Sequence, residues 1–344
     1  MTNTQNEDLI IEECENYDKP YKSFNEQIQH LEECYGLSMD GLSKEESLVL
    51  LKSISYYDLV NGTKDLFMEN DRYKDEVNFS DLVLLSIFDK SFQNILFKYS
   101  LYAERKFKNI LANVIASHKS FGVDHYSYLD ASKYIPYRGK SITKTIEEIT
   151  ECIYCGNNNY PTTHYVGKKN HIPPWILFKN VSFSTLIDLV YFLPDGMKTE
   201  VAKLLFPNTI STNDKVELLI PTLTIIRRFR NVIAHNYKFV TYKSGNYYLT
   251  HRIANQEFRG SMITPLESRK NIKKNDAYSM LLSLLLIVNE SPIQMQMKID
   301  FSTLFAQYSL KPKDMKIMKL YLTQINFPLN LIERFEKYCT KNVT

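Results

Sequence analysis

Apolar residues recur at helical spacing along most of this chain. The longest run begins after Asn78 and Ser80, either of which can cap a helix. Leu82, Leu84, Leu85, Phe88, Phe92, Ile95, Leu96 and Tyr99 follow at that spacing, and Phe107, Ile110, Leu111, Val114 and Ile115 carry it to about His118. Further helical patterns lie at Ser184–Leu193, Met197–Leu205, Asp214–His235 and Asp276–Glu290, with two short helices between Lys313 and Cys339. Residues 19–79 predict short helices, opened by a capping box of Ser23 with Glu26 and stopped at Gly36. The pattern breaks between about 120 and 180, where Gly122, Pro136, Gly139, Asn157 to Asn159, Pro161, Pro173 and Pro174 read as an irregular insertion. It breaks again after Asn236, where YKFVTYKSGNYYLTHRI gives two β-rich runs around Ser244-Gly245-Asn246, a hairpin signal. The expected fold is mainly α: a helical bundle with a small β-hairpin, the irregular insertion and an N-terminal helical region. The expected segments are an acidic disordered tail over 1–18, the N-terminal helical region over 19–79, the main helical domain over 80–300 and C-terminal helices over 301–344. No internal repeat is visible.

Composition narrows the class. A chain of 344 residues can bury a large core. Its longest apolar stretch, Met280–Val288, is far too short to span a bilayer, so no membrane partner is expected. Five Cys with one close pair, and no N-terminal signal region, point to a reducing cytoplasm. The formal charge of +3 is near neutral, but Glu7, Asp8, Glu12, Glu13, Glu15 and Asp18 concentrate acid in the tail. The remaining body is therefore more basic than the total. Basic clusters recur at Lys140–Lys144, Lys168-Lys169, Arg227–Arg230, Arg269–Lys274 and Lys311–Lys319. Solvated loops and helix ends explain any one of them; several on one face would make a phosphate-binding surface. Most of the 24 Tyr and 19 Phe read as core, whereas Tyr237, Tyr242, Tyr247 and Tyr248 follow the motif described next and are candidates for base stacking. Trp175, after two prolines and before an apolar run, reads as a core anchor.

Chemistry concentrates in RRFRNVIAHN, Arg227 to Asn236. Metal-free cleavage of RNA needs a group near neutral pKa to move a proton at the ribose 2′-OH and a permanent cation at the phosphate, the roles histidine and arginine fill. With seven His and three allowed offsets, an Arg at this distance from a His is expected by chance about 0.6 times, so context carries the weight. Asn231 follows Arg230 and can hydrogen-bond ribose, phosphate or imidazole, and Asn236 is a good helix terminator. Positions five apart on a helix point about 140° from each other, so Arg230 and His235 converge only if the helix ends or bends near Ala234–Asn236. Arg228 also lies within the allowed spacing.

This segment resembles the HEPN signature, an Arg-(Asn/Asp/His)-x3-5-His motif of metal-independent endoribonucleases. The chain as a whole, over roughly residues 19 to 335, is similar to the Abi-like (AbiD/AbiF) abortive-infection proteins. The likeness runs in family order through KPYKSFNEQIQHLEECYGLSM, ISYYDLV, IFDKSFQNILFKYSLYAERKFKNILANVIASH, HIPPWILFKNVSFSTLIDLVYFL and INFPLNLIERF. The last departs from a closing Gly-Phe-Pro-x-x-Trp, with Asn326 for the glycine and Leu331 or Ile332 near the tryptophan. The resemblance implies a HEPN-like bundle, catalysis by Arg230, Asn231 and His235 with no cofactor, a twofold pair of chains, and RNA as substrate and as a cognate noncoding partner. Glu104, Arg105, Arg228 and Asn236 would support the site, although Glu104 and Arg105 read equally as a surface ion pair. Arg227, Tyr237, Lys238, Lys168, Lys169, Arg269, Lys270, Lys273 and Lys274 would line the RNA path. No DNA specificity is evident.

Two other readings stay open: a non-catalytic RNA-binding protein in which Arg230 and His235 only grip phosphate, and a protein-interaction or sensing module in which they make a helix-end contact. Cys152-x2-Cys155 with His164 and His171 offers a zinc half-site, but the spacing fits no standard finger, and thiols with surface histidines are the favoured reading. His30, His118, His125 and His251 have no partner visible in sequence and read as surface or packing residues.

Overall fold

The structure is a computed structural model that describes residues 19–121, 124–154, 160–269 and 275–341. Sixteen α-helices, two short 3-10 helices and one two-stranded antiparallel sheet make up the regular structure of these residues, so the mainly helical expectation holds. The chain divides into two compact units, Met1–Asp89 and Lys90–Thr344, with the division falling inside the long helix.

In the first unit, α1 (Phe24–Glu33), α2 (Lys44–Ile54) and α3 (Tyr56–Phe67) follow one another. Ser23 with Glu26 and Ser43 with Glu46 form complete capping boxes. Each box satisfies two orphan amides of its helix start. The sheet is a hairpin of β1 (Met68–Glu69) and β2 (Arg72–Tyr73). Asn70 at φ +49 and Asp71 at φ +60 supply the two left-handed positions its tight turn demands.

The hairpin expected around Ser244–Asn246 is not formed. Its backbone groups are used elsewhere: the Ser244 amide donates to the Asn275 carbonyl at 2.8 Å, and the Ser244 carbonyl accepts from Arg228 Nη1 at 3.1 Å. Residues 237–250 are therefore a pinned turn segment, and His251 starts helix α11 (His251–Phe258) instead of lying in a strand.

α4 (Phe79–Ser117) is a single helix of 39 residues that opens where Asn78 caps it. In the second unit α13 (Ala277–Ile287) is the axis. All eleven of its residues are buried, as an all-round apolar sequence requires. α10 (Thr212–Ala234) packs on α13, α9 (Asp195–Leu205) and α8 (Phe183–Phe192). The expected irregular insertion is more ordered than its glycines and prolines suggest. It carries α5 (Ile142–Tyr154), whose buried Ile146, Ile149 and Ile153 face α8, then α6 (Thr162–Lys168) and the one-turn α7 (Pro174–Leu177). Beyond α12 (Pro265–Arg269) and α13, α14 (Ser291–Tyr308) was not legible in the pattern. It starts with Pro292 in its first turn and packs on α15 (Pro312–Gln324) and α16 (Leu331–Lys341). Asn326, which stands where a glycine is expected, takes φ +57 after α15 and so fills the left-handed position a glycine favours. None of the described helices is long and apolar enough to cross a membrane.

Candidate functional site

α10 is built to end at the motif. Ser211 caps its start, and the apolar Leu218, Leu219, Leu223, Ile225, Ile226, Phe229 and Val232 are buried along it. At the other end His235 is the C-cap and Asn236 turns left-handed at φ +55. The Asn236 amide donates to the Ile233 carbonyl at 3.1 Å and the Tyr237 amide to the Val232 carbonyl at 2.9 Å. That pair of bonds is a Schellman termination, which satisfies the last carbonyls and stops the helix. Buried Phe229 meets Phe239 at 5.8 Å and Tyr242 at 4.9 Å between centroids, and so ties the departing chain back to the helix. The stop leaves His235 exposed, its ring 5.7 Å from that of Tyr237. Neither ring nitrogen has a hydrogen-bond partner among the described residues, which leaves both open to a substrate.

Arg230, one turn earlier, points into a cleft of about 740 Å³ between α4, α7 and α10. Its Nη1 donates to Asn231 Oδ1 at 3.1 Å and its Nη2 lies 3.5 Å from Glu104 Oε2, while Nε is buried without a partner. Glu104 is held more tightly by Lys108, at 2.9 Å, and Lys108 also donates to the Val181 carbonyl at 2.7 Å. On the same stretch Lys106 pairs with Glu290 at 2.8 Å and donates to the Ile287 carbonyl. The guanidinium thus keeps donor capacity inside a concave, partly desolvated space. His235 does not line that cleft, and among the described residues no hydrogen bond or ion pair joins it to Arg230.

Across this architecture a family model described as Abi-like protein matches residues 49–240. The chain belongs to the Abi-like family. Membership ties the protein to abortive infection, and so to defence against phage. Nothing matches it among curated proteins or among solved structures. The matched stretch of this Abi-like protein holds Glu104, Trp175, Arg230 and His235, the end of α10 and most of the cleft wall, of which Val288, Glu290 and Ile293 lie beyond it.

The other expected residues distribute unevenly. Arg228 is taken up by the turn: besides its bond to the Ser244 carbonyl, its guanidinium sits 4.8 Å from the Tyr247 ring. Gly245 is required there, since its φ is +64 and a Cβ would come within 2.8 Å of Arg228 Nη1. Arg105 lines the cleft with its guanidinium 5.0 Å over the Tyr102 ring. Glu104 and Arg105 are therefore not paired with each other; Glu104 reaches Arg230. Arg227 and Lys238 are half-buried, and Lys168, Lys169 and Arg269 are exposed away from the cleft. Lys270, Lys273 and Lys274 lie outside the described residues, as does Cys155. Of the remaining zinc candidates, Cys152 Sγ reaches the Asn180 carbonyl at 3.7 Å, His164 packs on Tyr160 and Tyr165, and His171 Nδ1 bonds Asn170 at 2.8 Å. His118 has a partner that no sequence pattern announces, Glu200 at 2.9 Å.

Trp175 is the main correction. It is 44% exposed and lines the cleft instead of anchoring the core. On the single turn of α7, Pro174 and Leu177 share the buried face with Phe178 just beyond, and Trp175 falls one position out of phase. The lysines of the cleft, Lys106, Lys108 and Lys179, were also missed; only spatial proximity identifies them.

Proposed function

We propose that this Abi-like protein is a metal-independent endoribonuclease of the HEPN type that acts in phage defence. The observation that carries the reading is the end of α10, where Arg230, bonded to Asn231, lines a cationic cleft and, within the same helix end, an imidazole stands with both nitrogens open. In the mechanism, His235 takes the proton of a ribose 2′-OH as that oxygen attacks the adjacent phosphorus. The P–O2′ bond forms, the P–O5′ bond breaks, and the leaving 5′-oxygen receives a proton from a second imidazole. Arg230 offsets the charge on the pentavalent phosphate, and Asn231 orients it. Products are a 2′,3′-cyclic phosphate and a 5′-hydroxyl. Because one chain supplies a single imidazole here, two copies facing across a twofold axis complete the acid-base pair. The RNA partners are substrate strands and a structured noncoding RNA that restrains the enzyme.

The test is cleavage of total RNA by purified protein. His235→Ala should lower the rate about 100-fold or more with its melting curve unchanged, and EDTA should have no effect. Full activity in a folded His235→Ala variant, or activity lost with EDTA, overturns the reading. A second reading is favoured by the Arg230–Glu104 contact at 3.5 Å: a guanidinium held by a carboxylate grips RNA without cleaving it. Salt-dependent RNA binding with no 5′-hydroxyl products at any enzyme level would establish that alternative.

A further inference from the structure

The cleft beside Arg230 has more chemistry than a phosphate grip uses. Its two carboxylates are each neutralised within the wall, Glu104 by Lys108 at 2.9 Å and Glu290 by Lys106 at 2.8 Å. Three further cations, Arg105, Lys179 and Arg230, line the same space without a carboxylate of their own beyond the shared Glu104. Beside them lies Trp175, 44% exposed, with apolar Leu101, Phe178, Val288 and Ile293 also in the wall. An exposed indole among uncompensated cations suits a ligand that is both flat and anionic. The volume of about 740 Å³ is that of a small-molecule site and holds one nucleotide with room to spare.

We propose that this cleft is a nucleotide-binding site, in which an unpaired base stacks on Trp175 and its phosphate is held by Arg105, Lys179 and Arg230. The site shares Arg230 with the cleavage reading but needs no action by His235, so it stands or falls separately. Its ligand is a nucleoside phosphate, either free or as one unit of a single strand.

Trp175 is the sole tryptophan of the chain, so indole fluorescence of the intact protein, excited on the red edge where its tyrosines do not absorb, reports this site alone. The ligands are 5′-AMP and a 2′-O-methyl tetra-adenylate, neither of which can be cut through a 2′-OH. Either should quench the emission, and Arg105→Ala and Lys179→Ala should each weaken binding several-fold and flatten its salt dependence. By polarisation of the labelled tetramer, Trp175→Ala should bind at least about fivefold more weakly, and Trp175→Phe should retain most of the affinity. Equal affinity for both ligands assigns the cleft to a free nucleotide; binding of the tetramer alone assigns it to a strand. The proposal is overturned if neither ligand quenches at millimolar concentration. It is also overturned if Trp175→Ala, melting as the wild type does, binds unchanged, or if inorganic pyrophosphate binds as tightly as 5′-AMP.

Discussion

Two arginines stand within reach of His235 in sequence, and the structure gives them different surroundings. Arg228 donates to the Ser244 carbonyl at 3.1 Å and lies 4.8 Å from the Tyr247 ring, so it fastens the turn after α10 to the helix. A hydrogen bond from a charged donor contributes about 1.5–3 kcal/mol and a cation–π contact about 0.5–2 kcal/mol. Arg228 is half-buried, which favours the lower part of both ranges, and Arg228→Ala should cost about 2–3 kcal/mol. For a unit of this size that is a melting shift of roughly 4–8 °C. Arg230 makes one ion pair at 3.5 Å with a side chain 31% exposed, a contact worth about 0–1 kcal/mol. Arg230→Ala should therefore melt within about 2 °C of the wild type. Its loss should instead appear in cleavage, where removal of a transition-state charge partner costs about 100-fold or more. The assay is a pair of measurements on each variant, a thermal melt and single-turnover RNA cleavage below the melting transition. Arg228→Ala losing cleavage with an unchanged melt, or Arg230→Ala melting 5 °C low with normal cleavage, would refute the division of roles.

At Asn236, Asn236→Val should destabilise by about 1–2 kcal/mol, because a branched side chain resists φ +55, while Asn236→Gly, which takes that φ without strain, should cost less in the same melt. The Glu267 carboxyl is pushed up by burial but pulled further down by hydrogen bonds from Arg334 and the Thr264 amide, so its net pKa lies below the ordinary value. The unfolded chain then binds the proton more readily: this contribution is present above the unfolded pKa of about 4.3 and is lost as the pH falls through the lower folded value. Acid unfolding of Glu267→Gln should be shallower than that of the wild type across that window, and an identical profile would count against the pairing.

What the sequence discloses here is what local physics fixes. The end of α10 was legible because Asn after an apolar-periodic run is a backbone signal, and the same signal at Asn326 ends α15. α4 was legible because its apolar spacing is continuous. α5 was hidden: Ile142, Ile146, Ile149 and Ile153 keep helical spacing, but the surrounding prolines and glycines set the expectation for the whole segment. The hairpin after Asn236 was expected from β-rich residues around Ser-Gly-Asn. Arg228 and Asn275, from other parts of the chain, took the hydrogen bonds that strand pairing would need. Trp175 shows the same limit at the site, since a tryptophan's burial depends on which side of a one-turn helix meets the core. The cleft lysines carry no local signal, as they matter only through neighbours distant in sequence.

The separation of Arg230 and His235 bears on dosage. Arg230 lines the cleft while His235 stands exposed outside it, with no hydrogen bond or ion pair between them among the described residues. On the two-copy reading the active unit is then the pair, and at low abundance the number of pairs rises with the square of the chain's concentration, so a tenfold increase in level yields about a hundredfold more sites. On that same reading a cell carrying traces of the protein would be spared, and one in which it accumulates would cross a threshold.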